Sequence, residues 1–527
     1  MNLFGQVDGG VEGAQGFIQL DPRWGDIALE PGNRRVRILV GRRGAGKSRY
    51  LRAMERDAAA HHGEGLLVFP QKDDSVWISE MRWLHRTYAE VYERIEVWRR
   101  LWGCAIYASL ASYLLNFPPA VGTSINLEKE EREFFAQFCA DKLDTSKVCF
   151  PVVMVLNLFL KRYQDRSRLD AFIADPGWVA LENQVLKVIA NSTPIGCYID
   201  TLDETFQSSP AAATDCQVGL LVWMLRKSLD PHVNHRIHLV VAVRDTIFAS
   251  LMQSEHGRRY DRSDLIRCLD WNDDAAADFL HQKVALLSPK VRVAPNAKGN
   301  PIKSWLGFDV VANSMRKGRS EKVSELIVRH TRFLPREIIE IGNALAKHVQ
   351  TCLAEGRRVE PGAIVQIVMN EAKRQADLAL ETATDHMMAL DSHHNGAVVV
   401  HDFRHSVIQA IDNAFIPALR DERFTREMLV RANDVFSEAV GGWSPTLERK
   451  ALSLGDVLWL HGLIGFEDQS GPVQVARYFS SAKSMRSYVS GKLPLADHYY
   501  LHSALLGANR IVIGAEPPKA AAADPND

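Results

Sequence analysis

The sequence has little cysteine and no surplus of charge of either sign. Its seven cysteines are scattered over 527 residues, and no two of them form a C-x-x-C pair. This pattern excludes a zinc knuckle and a disulfide framework, and it is typical of reduced, buried thiols in a cytosolic protein. The 63 basic and 64 acidic side chains give a formal net charge of -1. A global basic field that would coat nucleic acid is therefore excluded, and any nucleic-acid contact must come from a local patch.

The sequence also lacks a secretory signal and a membrane span of full length. Its first residues, MNLFGQVDGG, contain no basic stretch followed by an apolar core. One uncharged run, residues 101–117, is short for a bilayer span of about 20 residues, and Ser109, Ser112 and Tyr113 interrupt it. We therefore predict a buried core helix in this region, and a cytoplasmic protein without a membrane segment.

Length and patterning predict an α/β protein of several units. At roughly 150 residues per domain, the chain has room for about three domains. Short apolar strands alternate with helical segments in its first half, which favours a parallel sheet with helical crossovers. The expected units are an irregular N-terminal segment (1–34), an α/β core (35–271) with a helical insert (79–190), a helical lid (272–385), a winged-helix-like domain (396–510) and a disordered tail (511–527).

A glycine-rich motif follows the first predicted strand. Residues 41–48 read GRRGAGKS and match G-x-x-x-x-G-K-[ST] between a strand and a helix. Glycines lack Cβ atoms, so the backbone can fold around a phosphate with its N–H groups pointing inward. The motif predicts that Lys47 contacts the β- and γ-phosphates and that Ser48 ligates Mg²⁺. ATP and Mg²⁺ are therefore the expected cofactors, and the expected binding residues are Gly41, Arg42, Arg43, Gly44, Ala45, Gly46, Lys47 and Ser48.

Acidic residues follow a second apolar strand, predicted at residues 195–199. Asp200 lies at the carboxyl end of this strand, the edge at which open α/β sheets bind ligands, so we expect it to hold Mg²⁺ through water. Asp203 and Glu204 come next, and one of them could orient or deprotonate an attacking water. The sequence does not distinguish these two, and a solvated acidic loop is the alternative.

Several arginines are candidates for phosphate contacts. Arg244 ends the strand predicted at 237–243 and could sense a γ-phosphate, with a structural ion pair as the alternative. Arg336 follows Pro335 at the start of a predicted helix and could couple a lid to the nucleotide, or it could be an ordinary surface arginine. The catalytic candidates are thus Lys47, Asp203, Glu204 and Arg244. An arginine finger or a solvated basic loop is predicted for Arg258, Arg259, Arg262 and Arg267.

Taken together, these motifs resemble the STAND and AAA+ branches of P-loop ATPases. The resemblance covers residues 35–350 and, weakly, 400–505, and it is nearest to bacterial STAND-like ATPases with a helical lid and a C-terminal winged helix. It implies a Walker A loop at residues 41–48, a Walker B strand ending at Asp200, and a slow ATPase that acts as a nucleotide-controlled switch. Many such proteins belong to anti-phage defence or mobile-element loci. The insert at 79–190 is far longer than a minimal AAA+ core allows, which suggests partner or ligand contact.

The expected partners are a second copy of the chain or a separate effector protein. The C-terminal unit carries arginines and lysines on a predicted helix and hairpin, and these could contact DNA phosphates. Acidic residues dilute that field, so docking of the unit on the ATPase remains an equal possibility. The alternative function is a DNA-associated ATPase that loads or remodels a complex through its winged helix.

Overall fold

The structure is a computed structural model of the whole chain. It describes residues 3–4, 38–62, 66–69, 78–116, 127–145, 147, 150–190, 195–200, 210–230, 233, 237–253, 265–269, 271–295, 297, 299–313, 318–395, 401–419, 421–443, 446–447, 450–451, 453–468, 475–478 and 492–506. The predicted N-terminal segment and C-terminal tail therefore lie almost wholly outside the described residues.

A parallel sheet of five strands forms the centre of the first half. Its strands are β1 (Ile38–Val40), β2 (Leu66–Phe69), β3 (Ile195–Ile199), β4 (Ile237–Val243) and β5 (Ile266–Cys268). Their order across the sheet is β2-β3-β4-β1-β5, and every neighbouring pair is parallel. The expected α/β class with a parallel sheet is therefore confirmed.

Both faces of this sheet are covered by helices. Successive side chains of a strand point to opposite faces. Leu39 accordingly packs with residues of α1 (Lys47–His62), whereas Ile38 and Val40 join a larger cluster on the other face. Two crossover helices, α8 (Pro210–Lys227) and α9 (Asp245–Gln253), contribute to that larger cluster.

In the described part of the chain between β2 and β3, six helices build most of the larger cluster. They are α2 (Ile78–Thr87), α3 (Val91–Asn116), α4 (Lys129–Leu143), α5 (Val152–Arg162), α6 (Arg166–Ile173) and α7 (Gly177–Ala190). Residues 101–116 of the uncharged run lie in α3, where Trp98 and Trp102 are fully buried. It is a core helix, as predicted. Among the described helices, none is long and apolar enough to cross a membrane.

The next unit, which begins at Asp273 and is called the lid below, mixes helices with a small hairpin. Its helices are α10 (Asp273–Ala285), α11 (Pro301–Leu306), α12 (Val323–Arg329) and α13 (Pro335–Ala354). The prediction of a purely helical lid was wrong at β6 (Val310–Ala312) and β7 (Ser320–Lys322), which pair antiparallel. Val310 and Val311 are β-branched and favour a strand. The caps were predicted correctly, since Asn272 accepts the N–H of Ala275 and Pro335 opens α13.

A long helix, α14 (Pro361–Asn395), connects this lid to the C-terminal unit. Ile364 and Val368 pack in the lid cluster, while Ala372, Leu380 and Met387 pack in the C-terminal cluster. The helix therefore belongs to both units, and the predicted division between them falls at its C-terminal end.

The C-terminal unit combines short helices with an antiparallel sheet. The helices are α15 (His401–Ala410), α16 (Ile416–Leu419), α17 (Arg426–Ala439), α18 (Leu454–Leu460) and α19 (Ser503–Leu506). The strands are β8 (Arg423–Thr425), the short pair β9 (Thr446–Leu447) and β10 (Lys450–Ala451), β11 (Ile464–Asp468), β12 (Val475–Tyr478) and β13 (His498–Leu501). The predicted hairpin is present as β11 and β12. It is, however, part of a four-stranded sheet of order β12-β11-β13-β8.

Candidate functional site at the carboxyl edge of the parallel sheet

The carboxyl ends of β1 and β4 form a crevice. These strands are neighbours, but the chain leaves β1 into α1 on one face and leaves β4 into α9 on the other. Connections that diverge in this way open a gap between adjacent strand ends, and this is where open α/β sheets bind ligands. The glycine loop, defined as residues 41–48, begins at this gap because the N–H of Gly41 donates to the carbonyl of Val243 at 3.2 Å.

The glycine loop has a backbone path that only glycine adopts readily. Gly44 and Gly46 have φ angles of 87° and 93°, in the region that Cβ atoms disfavour. The loop leads directly into α1, which starts at Lys47. The first N–H groups of a helix have no acceptor within it and carry the positive end of the helix dipole, so the end of the loop suits an anion.

Lys47 is buried, and its ammonium is held at the mouth of the loop. Its Nζ donates to the carbonyl of Gly41 at 2.9 Å and to that of Arg42 at 3.1 Å. These are bonds to the loop's own backbone. A phosphate bound in the loop would therefore meet a cation that is already in position.

Next to the loop lies a cavity of about 130 Å³ whose described lining carries more basic than acidic side chains. Five arginines contribute to its wall: Arg42, Arg43, Arg244, Arg332 and Arg336. Three carboxylates line it too, but Glu337 pairs with Arg332, and Glu340 pairs with Arg374 at 2.6 Å. The cavity is therefore suited to an anionic ligand.

The third carboxylate, Asp245, joins the loop to β4. It lies 3.7 Å from Nε of Arg42 and is almost fully buried. Burial raises its pKa above the ordinary aspartate value, while the charges of Arg42 and Lys47 act in the opposite direction. Asp245 comes shortly after the end of β4, and Arg42 belongs to the glycine loop. Their ion pair therefore joins the tip of β4 to the loop.

The lid contacts the glycine loop through its backbone. The N–H of Arg336 donates to the carbonyl of Gly44 at 3.3 Å. A Cβ on residue 44 would lie 2.9 Å from the Cβ of Arg336, so Gly44 is required both by its φ angle and by this close approach. On the same side, the indole N–H of Trp271 donates to the carbonyl of Ala45 at 3.1 Å.

The C-terminal unit closes the cavity on a third side. Leu460 and His461 line the cavity, and the carbonyl of His461 lies 3.5 Å from Nη1 of Arg332. Trp459 and Leu460 also pack on Ala249 of α9 in one small apolar cluster. The core, the lid and the C-terminal unit thus meet around one loop.

A pair of histidines connects the C-terminal unit to α14 behind this wall. Nδ1 of His386 lies 3.1 Å from Nε2 of His461. Burial lowers the pKa of His386 to about 4. The pKa of His461 is also lowered, first by burial and then by the charges of His386 and nearby arginines, including Arg332. Both rings are therefore neutral at neutral pH.

The predicted site residues divide into three groups. The structure brings Gly41–Ser48, Arg244 and Arg336 together around the crevice and cavity. Asp200 directly follows β3. In the sheet, β4 lies between β3 and β1, the strand that leads into the glycine loop. Asp203 and Glu204 lie outside the described residues, as do Arg258, Arg259 and Arg262, and Arg267 is in β5.

Sequence reasoning missed Trp271, Arg332 and His461. It also missed Gly462, whose backbone lies against the guanidinium of Arg42. None belongs to a motif. Trp271, His461 and Gly462 reach the site from distant parts of the chain, whereas Arg332 lies shortly before the predicted Arg336. Asn272, an N-cap signal, was the only hint near Trp271. Among the described residues, no three His, Cys, Asp or Glu side chains are grouped so that they could hold a metal ion.

Comparisons with protein-family models, with curated proteins and with solved structures found no match.

Proposed function

We propose that this protein is a P-loop ATPase of the STAND or AAA+ type that acts as a nucleotide-controlled switch. One observation carries the proposal: the GRRGAGKS loop, with Gly44 and Gly46 at positive φ, lies at the diverging carboxyl ends of β1 and β4. Motif, strand, helix and crevice thus coincide. If the sequence matched the motif only by chance, we would not expect it to lie at this position of a parallel sheet.

The loop and the arginines have separate tasks in this proposal. The N–H groups at the start of α1 and the ammonium of Lys47 bind the β- and γ-phosphates. Arg244 and Arg336, which line the cavity beside the loop, contact the γ-phosphate end. Mg²⁺, when bound, supplies charge neutralisation between the phosphates, and Ser48 and Asp200 are the residues that would hold it. Asp203 or Glu204 orients the attacking water.

The proposed switch rests on the units that contact the glycine loop. A ligand shifts a conformational equilibrium only through contacts that differ between the two states. Here Arg336 of the lid, Leu460 and His461 of the C-terminal unit and Arg42 of the loop line the same cavity. A γ-phosphate in this space would change the contacts of all three, so binding and hydrolysis alter how the lid and C-terminal unit dock.

The DNA-loading alternative has less support. A winged helix reads DNA with a helix exposed to the major groove. The helix in the corresponding position, α18, has the sequence LGDVLWL and is buried along its whole length. Arg426 and Arg431 on α17 are exposed, but Glu427, Asp434 and Glu438 share that helix. Docking of the C-terminal unit on the core is therefore the favoured role.

Equilibrium binding of Mg²⁺–ATP tests the nucleotide assignment. Lys47→Ala removes a charged donor, so ATP affinity should fall about 10- to 100-fold. Lys129→Ala is the matched control, since its ammonium is 88% exposed on α4. Because Lys47 is buried, thermal unfolding without nucleotide must accompany the measurement. Equal ATP affinity in wild type, Lys129→Ala and a folded Lys47→Ala protein would refute the proposal.

A further inference from the structure

Two donors from the lid side hold consecutive carbonyls of the glycine loop. The indole of Trp271 bonds the carbonyl of Ala45, and the backbone N–H of Arg336 bonds that of Gly44. Trp271 directly precedes Asn272, the N-cap of α10, and Arg336 is the second residue of α13. Both donors therefore stand at the beginning of a lid helix.

The bond from Trp271 fixes the direction of a peptide group. In a planar trans peptide, the C=O of one residue and the N–H of the next point in opposite directions. Since the carbonyl of Ala45 faces the indole, the N–H of Gly46 points away from it. Gly46 has a φ of 93°, and glycine adopts positive and negative φ about equally readily, so its intrinsic backbone preference does not impose this orientation.

The indole is in turn held by the lid. Its ring meets that of Phe279, on α10, edge to face with centroids 5.5 Å apart. It also packs against the cluster that contains Leu39, Tyr50 and Leu334. A rotation of α10 would carry the indole with it and release the carbonyl of Ala45.

We propose that Trp271 is a positioning residue that holds the Ala45–Gly46 peptide in the orientation required to accept a nucleotide phosphate, and that it links this peptide to lid helix α10. The ligand class rests on the proposed function. The positioning itself is a property of the chain and can be measured without nucleotide.

Trp271→Phe is the variant to test, because it removes the N–H and keeps an aromatic ring. Trp443→Phe is the matched control. Trp443 also meets a phenylalanine edge to face, at 5.3 Å from Phe403, and its N–H has no hydrogen-bond partner among the described residues. Thermal unfolding of both variants should match that of the wild type within a few degrees.

Hydrogen exchange of the glycine loop, measured without nucleotide, is the deciding readout. In Trp271→Phe, the amides of residues 41–51 should exchange several-fold faster, while Trp443→Phe leaves them unchanged. Equal loop exchange in wild type and Trp271→Phe would overturn the positioning role, whatever the protein binds.

Nucleotide affinity then connects the positioning to function. Loss of one neutral hydrogen bond corresponds to about a 5-fold change in an equilibrium constant. The Kd for Mg²⁺–ATP should therefore rise about 5-fold in Trp271→Phe and stay constant in Trp443→Phe. An unchanged Kd in Trp271→Phe would overturn the link to phosphate. If the wild type itself binds no ATP, the proposed function fails and loop exchange still decides the role of Trp271.

Discussion

The guanidinium of Arg42 lies directly against the backbone of Gly462. A Cβ on residue 462 would overlap Nη1 of Arg42, and Gly462 itself has a φ of 67°. Residue 462 belongs to the turn between α18 and β11, whereas Arg42 is the second residue of the glycine loop. This approach joins the C-terminal unit to the loop, and it depends on the absence of a side chain.

Gly462→Ala should therefore displace the guanidinium of Arg42 and weaken the contact between the C-terminal unit and the loop. The added methyl group overlaps the end of the flexible Arg42 side chain, so the guanidinium must move away from residue 462 and lose its present contact with the C-terminal unit. That movement also disturbs its ion pair with Asp245. Gly441→Ala is the control, since Gly441 has a φ of 70° but nothing within 4 Å of a Cβ. Both variants carry the backbone strain of about 1 kcal/mol, and only Gly462→Ala carries the clash. Limited proteolysis should show faster cleavage between the lid and the C-terminal unit in Gly462→Ala alone. Equal digestion of the two variants would contradict this role.

Acid should weaken the docking of the C-terminal unit on α14 through the histidine pair, His386 and His461. In the docked state the pKa of His386 is lowered to about 4 and that of His461 is also lowered, so both rings are neutral. Once exposed, each ring regains a pKa near 6.5 and binds protons more readily. Docking is thus fully stable above pH 6.5 and weakens as the pH falls from 6.5 towards 4, by about 2 kcal/mol at pH 5 from His386 alone, and His461 acts in the same direction.

Proteolysis at pH 7.5 and at pH 5.0 measures this effect. His386→Phe removes one of the two rings and should make the pH dependence smaller without abolishing it, because His461 remains buried. His405→Phe is the control, since His405 is exposed on α15. If docking is as stable at pH 5.0 as at pH 7.5, the pair does not respond to acid in this range.

The sequence alone was sufficient for the local features of the site. A short apolar strand, a glycine motif and a helix start are encoded in contiguous residues, so β1, residues 41–48 and the start of α1 were predicted together. The cap at Asn272 and the first-turn Pro335 were equally local signals. Asp200 was predicted to follow a strand, and it does.

The features that sequence reasoning missed depend on long-range contacts. β13 was not predicted, because HYYL becomes a strand only by pairing between β11 and β8. Gly462 contacts Arg42, and Trp271 contacts Ala45, although the two residues of each pair are hundreds of positions apart. The hydrophobic periodicity of a sequence does not predict such contacts. Sequence reasoning did not predict that α14 packs in both the lid cluster and the C-terminal cluster. The apolar stripe of this helix is continuous, so its pattern does not show where one cluster ends and the other begins.

Glu204→Gln should separate ATP binding from hydrolysis. The amide keeps the size of the side chain but cannot accept a proton, so the variant should bind ATP with the affinity of the wild type and lose turnover. Phosphate release under saturating ATP measures this. Normal turnover would exclude Glu204 as the base, and Asp203→Asn then becomes the decisive variant.

Arg336→Ala should uncouple the lid from the nucleotide while leaving most of the affinity for ATP. The substitution removes the guanidinium that lines the cavity, but the backbone N–H that donates to Gly44 remains, as do Lys47 and the loop amides. A guanidinium can grip phosphate oxygens through two parallel bonds with a fixed direction, which makes it suited to transmit the state of the γ-phosphate. The ATP-dependent difference in protease protection should therefore disappear, whereas the Kd for ATP should rise only a few-fold.

Arg358→Ala, which changes an exposed arginine of the same unit, is the control. A surface role for Arg336 predicts the opposite result: ATP and ADP digests that differ in the variant as they do in the wild type. The comparison distinguishes the two roles because neither substitution alters the backbone contact between the lid and the loop.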